Sequence, residues 1–142
     1  MTTEAPFDID DRKTYEFSKT LTAEDVEAFA QVSGDNQPIH LDDAQAARTR
    51  FKKRIAHGIL TAGVISAAIG TQVAPGKVVI YMGQTLNFLA PVYLGDTVTA
   101  KLNVISTNAP RRQATLLATV VNQDGVEVLK GESRIMIEAY ED

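Results

Sequence analysis

Asp35 and His40 stand five residues apart in the run Ser33-Gly34-Asp35-Asn36-Gln37-Pro38-Ile39-His40-Leu41-Asp42. A carboxylate and an imidazole held that close could move protons to and from a substrate near neutral pH. Gly34 gives the backbone freedom just before the Asp, and Pro38 fixes φ just before the His. Proline also pushes Gln37 toward extended geometry, so the run predicts a stiff turn with no ordinary helix between the two groups. The chain has only two histidines, His40 and His57, so few other residues could serve as the imidazole.

A second group follows at Ala56-His57-Gly58-Ile59, the start of a long uncharged segment. If a helix begins there, its first N–H groups are unpaired and its positive dipole end lies at the same place. Gly58 has no side chain to keep a ligand atom from its amide. Donors at such a point could hold a carbonyl oxygen as it gains charge, a contribution on the order of 3 kcal/mol each. Each residue also has a plain structural reading. Asp35 could cap a turn, His40 could be a satisfied core histidine, and His57 could be a helix-start residue bonded to backbone. A metal site from His40, His57 and Asp42 has suitable ligand types, but the spacing does not point to one.

The elements that must position these groups can be read along the chain. Tyr15 to Leu21 alternates as a first strand. Thr22 can N-cap a helix, with Asp25 completing a capping box, and Gly34 ends it after Val26, Phe29, Ala30 and Ser33. Asp42 or Asp43 can cap a short helix through Ala44, Ala46 and Ala47, and Arg48 to Arg54 reads as a solvated basic stretch. A helix from about His57 to Val73 follows, then the turn Ala74-Pro75-Gly76. Strands are expected over Val78 to Leu89, Asp96 to Thr107, Arg112 to Asn122 and Val126 to Tyr140, with Asn122-Gln123-Asp124-Gly125 as a hairpin turn. One buried helix followed by an antiparallel sheet is an α+β pattern in which the sheet wraps the helix.

Composition narrows the function classes. The 142 residues suit a single domain, with 1–13 as a flexible or extended N-terminal segment. A net charge of −4, with no basic run longer than Lys52-Lys53-Arg54, argues against nucleic acid. The absence of cysteine excludes disulfides, thiolate nucleophiles and zinc–thiolate sites, and fits a reducing, cytoplasmic setting. The acidic N-terminus is the reverse of a secretory signal. Ile55 to Gly76 is uncharged apart from His57, yet its Gly, Ala, Ser and Thr content favours a buried helix over a membrane span.

The Asp–His run and Ala56-His57-Gly58-Ile59-Leu60 together resemble the two signature blocks of the MaoC-like hydratases, (R)-specific enoyl-CoA hydratases of hot-dog fold. Tyr81 to Asp96 is similar to the strand and turn after that family's helix, and the likeness runs from about Tyr15 to the end. It implies a catalytic Asp35 and His40, with the Gly58 amide holding the thioester oxygen. Two positions depart from the family pattern: Gln37 stands where Asn usually precedes the Pro, and Gly63 where several members carry Ser.

The resemblance also implies a homodimer paired edge to edge, acting on acyl-CoA with no cofactor beyond the coenzyme A of the substrate. His57, Leu60, Gly63 and Val64 would bind the substrate, with the acyl chain running past Leu60, Gly63, Val64 and Ala67. Arg48, Arg50, Lys52, Lys53, Arg54, Arg111 and Arg112 are the cations available to its phosphates. Members serving polyhydroxyalkanoate synthesis or β-oxidation look most similar. Rival readings are a hot-dog thioesterase and a non-catalytic acyl-CoA binder. Gly58 to Val73 contains no Asp or Glu, which disfavours the thioesterase.

Overall fold

In the computed structural model, which describes residues 9–141, the sheet begins with β1 (Thr14–Thr20), whose Tyr15 is buried. Of the expected N-terminal segment, residues 1–8 lie outside the described part. The remainder is tied down where the Tyr15 hydroxyl donates to the Asp10 carbonyl at 3.0 Å. Helix α1 (Ala23–Ser33) starts on the reciprocal capping box that its sequence predicts. Thr22 Oγ1 accepts from the Asp25 N–H at 3.1 Å, and Asp25 Oδ2 accepts from the Thr22 N–H at 3.0 Å. Gly34 closes the helix at φ +83, a conformation that glycine adopts without a Cβ penalty.

The Asp–His run differs from the expected turn. Pro38 opens a single-turn helix, α2 (Pro38–Leu41), and His40 rides on it. Proline is harmless at a first helical position, where the N–H it lacks would have no partner. Gln37 does leave the helical region, at φ −57 and ψ 133. Asp42 then caps α3 (Asp43–Ala47), its Oδ1 accepting from Ala44 N–H at 2.9 Å and Gln45 N–H at 3.1 Å.

Helix α4 (Gly58–Ala68) continues through a π turn, Ile69–Val73, and together they fill the span expected for the buried helix. The Thr71 hydroxyl donates back to the Ala67 carbonyl at 2.7 Å, a bond of the kind that loosens the end of a helix. Around α4 the described strands form one antiparallel sheet in the order β1-β4-β5-β6-β2. The remaining members are β2 (Val78–Gln84), β4 (Thr97–Asn108), β5 (Gln113–Val121) and β6 (Glu127–Glu138). Val98, Ala100 and Leu102 of β4 and Leu116, Ala118 and Val120 of β5 are sealed in one core with Val64, Ile65 and Ala68 of α4. A fully buried Leu or Val contributes about 1.5–3 kcal/mol, so this seam between helix and sheet carries the stability.

The expected strand Val78 to Leu89 is broken in two. After a bulge between Tyr81 and Gly83, β2 ends at Gln84 and a two-residue β3 (Asn87–Phe88) pairs further along β6. The break depends on Gly131. A Cβ built there would lie 1.8 Å from the Thr85 carbonyl oxygen, so only glycine lets the chain cross β6 at that point.

Candidate active site

His40 is buried and held at two places by the segment that precedes α4. Its Nδ1 lies 2.7 Å from the Ile55 carbonyl, which can only accept, so Nδ1 carries the hydrogen. A neutral ring then keeps Nε2 as an acceptor. The backbone carbonyl of His40 in turn accepts from Nε of Arg54 at 2.8 Å.

Asp35 is exposed and sits at the end of the Ser33-Gly34 turn. Its N–H donates to Ser33 Oγ at 3.1 Å, and its Oδ1 accepts weakly from Gln37 N–H at 3.4 Å. His57 fixes this residue from below, donating from Nε2 to the Asp35 carbonyl at 2.8 Å. The His57 ring is 2% exposed and lies between Phe29, at 4.7 Å, and His40, stacked at 3.8 Å and 27°. One ligand atom from each of Asp35, His40 and His57 falls within 4.8 Å of the others. Two hydrogen bonds of ordinary length from one water span about 4.6 Å at a tetrahedral angle. The Asp35 carboxylate and a His40 ring nitrogen therefore lie within about the span of one bridging water. These three are also the residues with the ligand types for a metal, whereas Asp42 is occupied in capping α3.

The helix start lies beside His40. His57 occupies the N-cap position of α4, and its side chain makes no hydrogen bond to the first-turn amides. A cavity of about 440 Å³ opens there, lined by His40, Gly58 and Thr61, with buried Val92 and Val128 on its inner side. Its outer side carries Phe88, Leu89 and Arg50, all exposed. Phe88 sits directly on the helix start: a Cβ at Gly58 would lie 2.6 Å from one of its ring carbons. The arrangement offers a proton-handling pair, a set of open amide donors and an apolar recess, which suits addition or elimination next to a polarised carbonyl.

The other expected residues separate. Gly63 lines a second, more open recess of about 470 Å³ with Ser66, Tyr81 and Met82, and Ile59 lines both recesses. Val64 is sealed in the core, Leu60 packs against that core, and neither lines either of these two recesses. His57 contacts Asp35 and His40 and is absent from both linings. Among the seven cations considered for phosphate, Arg50 alone lines the first cavity. Arg54 corrects the reading of Arg48 to Arg54 as wholly solvated, because its side chain is only 13% exposed. Sequence reasoning missed the hold of Arg54 on His40 and the seat of Phe88 on Gly58. The first was hidden in a basic run, and the second joins positions far apart in the chain.

Comparison with known proteins agrees with this geometry. A profile of the MaoC-like domain matches residues 7–125. The 3-hydroxybutyryl-CoA dehydratase of Methylorubrum extorquens is 46% identical over 124 residues, covering 87% of this chain and 78% of the relative. The (R)-specific enoyl-CoA hydratase of Rhodospirillum rubrum is 40% identical over 132 residues, covering 93% and 90%. The unliganded R-hydratase of Pseudomonas aeruginosa superimposes with a TM-score of 0.87 at 42% identity, over 95% of this chain and 86% of that one. The curled sheet around α4 is thus the hot-dog fold, and the chain belongs to the MaoC-like family.

Proposed function

We propose that this protein hydrates trans-2-enoyl-CoA to (R)-3-hydroxyacyl-CoA and catalyses the reverse dehydration. The observation that carries the reading is the Asp35 carboxylate and His40 ring, spaced within 4.8 Å beside the open start of α4. The thioester oxygen accepts from the Gly58 amide, which draws electrons from the double bond and leaves the β-carbon electrophilic. Asp35 and Nε2 of His40 each accept a hydrogen from the shared water. As its oxygen bonds to the β-carbon, one proton passes to the pair and the π electrons move into an enolate. The enolate then takes a proton at the α-carbon from the same face. Water is added across the double bond with one stereochemistry and nothing is left over.

Coenzyme A enters as part of the substrate, and the reaction as drawn uses no other cofactor and no metal. Arg50 stands at the outer side of the cavity, where a phosphate of the carrier would pass. A homodimer is supported by the edge position of β2, where Ile80, Tyr81 and Met82 are each 38–39% exposed. The cysteine-free composition favours a cytoplasmic setting, and no helix among the described residues is long and apolar enough to cross a membrane.

Crotonyl-CoA separates the readings in one assay that follows enone absorbance and free thiol together. Enone loss without thiol is the expected result, and a chiral separation should find only the (R) product. Thiol release would make the protein a thioesterase, and no change in either signal would make it a binder. Asp35→Asn and His40→Gln should each lower kcat by about 100- to 10,000-fold while the protein stays folded. Near-normal turnover in either variant would remove that residue from the mechanism.

A further inference from the structure

We propose that Arg54 is a positioning residue for the hydration, holding His40 so that its Nε2 stays turned toward the water it shares with Asp35. The inference rests on the hydratase reading above. His40 belongs to a helix of only four residues, too short to be stable by its own hydrogen bonds. Its carbonyl is among the last of that helix, which find no partner within it. Nε of Arg54 supplies that partner at 2.8 Å, as basic side chains do at helix C-termini.

The next residue completes the hold, since the Ile55 carbonyl accepts from His40 Nδ1–H at 2.7 Å. Two adjacent residues therefore grip His40 by its backbone and by its ring, which fixes both the helix turn and the ring rotation. Nη2 of Arg54 lies 3.9 Å from Glu27 Oε1 on α1, too far for a hydrogen bond, so the grip on His40 rests on Nε. At 13% exposure the side chain is turned inward, whereas a contact to coenzyme A phosphate would need it at the surface.

The test compares Arg54→Met and Arg54→Lys with wild type on crotonyl-CoA, with thermal melting to check folding. Wild-type enone loss establishes the hydratase reading independently. Arg54→Met should lose about 10- to 100-fold in kcat with KM within about twofold, the scale on which a misplacement of about 1 Å acts. Arg54→Lys should recover part of that loss. Because the chain has two histidines, ¹⁵N ring spectra resolve His40: wild type should show a fixed Nδ1–H tautomer, and Arg54→Met an averaged one. A raised KM at unchanged kcat would overturn the proposal in favour of phosphate binding. So would wild-type kcat in both variants, or a fall in kcat with the His40 ring signals unchanged. If Arg54→Met does not fold, the Lys variant is judged by the same three readouts. If wild type leaves crotonyl-CoA untouched, the hydratase reading fails, and the ring spectra still decide whether Arg54 holds His40.

Discussion

At the scale of single residues, the Ile55 carbonyl places the hydrogen of a neutral His40 ring on Nδ1, which leaves Nε2 as the nitrogen able to accept from the water of the proposed mechanism. Asp35, His40 and Gly58 could be picked out from sequence as candidates, since the chemistry proposed for them depends on type and on short spacing. Arg54 could not: a guanidinium within Lys52-Lys53-Arg54 reads as solvated charge until the fold turns it inward. Gly58 gives a residue-scale prediction in which two effects compete. A methyl at 58 gains helix propensity, up to about 1 kcal/mol over glycine. It also displaces the Phe88 ring, which is 53% exposed and can swing away at little cost. Gly58→Ala should therefore keep its melting temperature within a few degrees while kcat on crotonyl-CoA falls at least tenfold, because the ring moves toward the space the substrate uses. Wild-type turnover in that variant would place the thioester oxygen elsewhere.

Elements were legible where local chemistry decides them and illegible where a crossing does. The capping box at the start of α1 follows from Thr22 and Asp25 alone, and Thr22→Ala should cost about 1 kcal/mol by chemical denaturation. Asp25 adds a pH dependence. Its carboxyl is held below the usual value of 3.8 by the Thr22 backbone N–H, with further help from the Thr22 hydroxyl and from Lys19. The folded pKa is depressed, so this stabilisation is present above pH 3.8 and is lost as pH falls through the lower folded value. Asp25→Asn should accordingly flatten part of the acid limb of a stability–pH profile. The break between β2 and β3 had only a weak local signal, Gly83 and Gln84 interrupting the apolar series Ile80, Met82, Leu86 and Phe88. It is set by Gly131, on a strand read later in the chain. Gly131→Ala would drive a Cβ into backbone that cannot swing aside, so a loss of about 3 kcal/mol or more is expected, measurable by urea titration.

For the whole molecule, the class of fold was readable because one uncharged helix and a succession of alternating strands leave few ways to bury both. The expected edge-to-edge dimer belongs to this scale. Strand β2 ends the sheet with Ile80, Tyr81 and Met82 partly exposed, and the recess lined by Gly63 and Ser66 lies beside them. Light scattering should give twice the chain mass, and Met82→Lys should shift the protein toward monomer with its circular dichroism unchanged. A monomer at full activity in the wild type would dispose of the dimer. Residues that the family resemblance had grouped along one acyl path were divided by the turn of α4. Val64 points into the core and Gly63 outward, so a four-residue pattern could not show which of them a ligand would meet.

The contact between Phe88 and Gly58 bears on how this scaffold can be altered. No mass can be added at the helix start without moving the ring, and β3, which carries the ring, is pinned to β6 at Leu129 and Lys130. Libraries aimed at new acyl groups are therefore best spent on Ile59 and Leu89, which face the recess from exposed positions with room to change. The floor of the machine is closed to redesign, and its doorway is open.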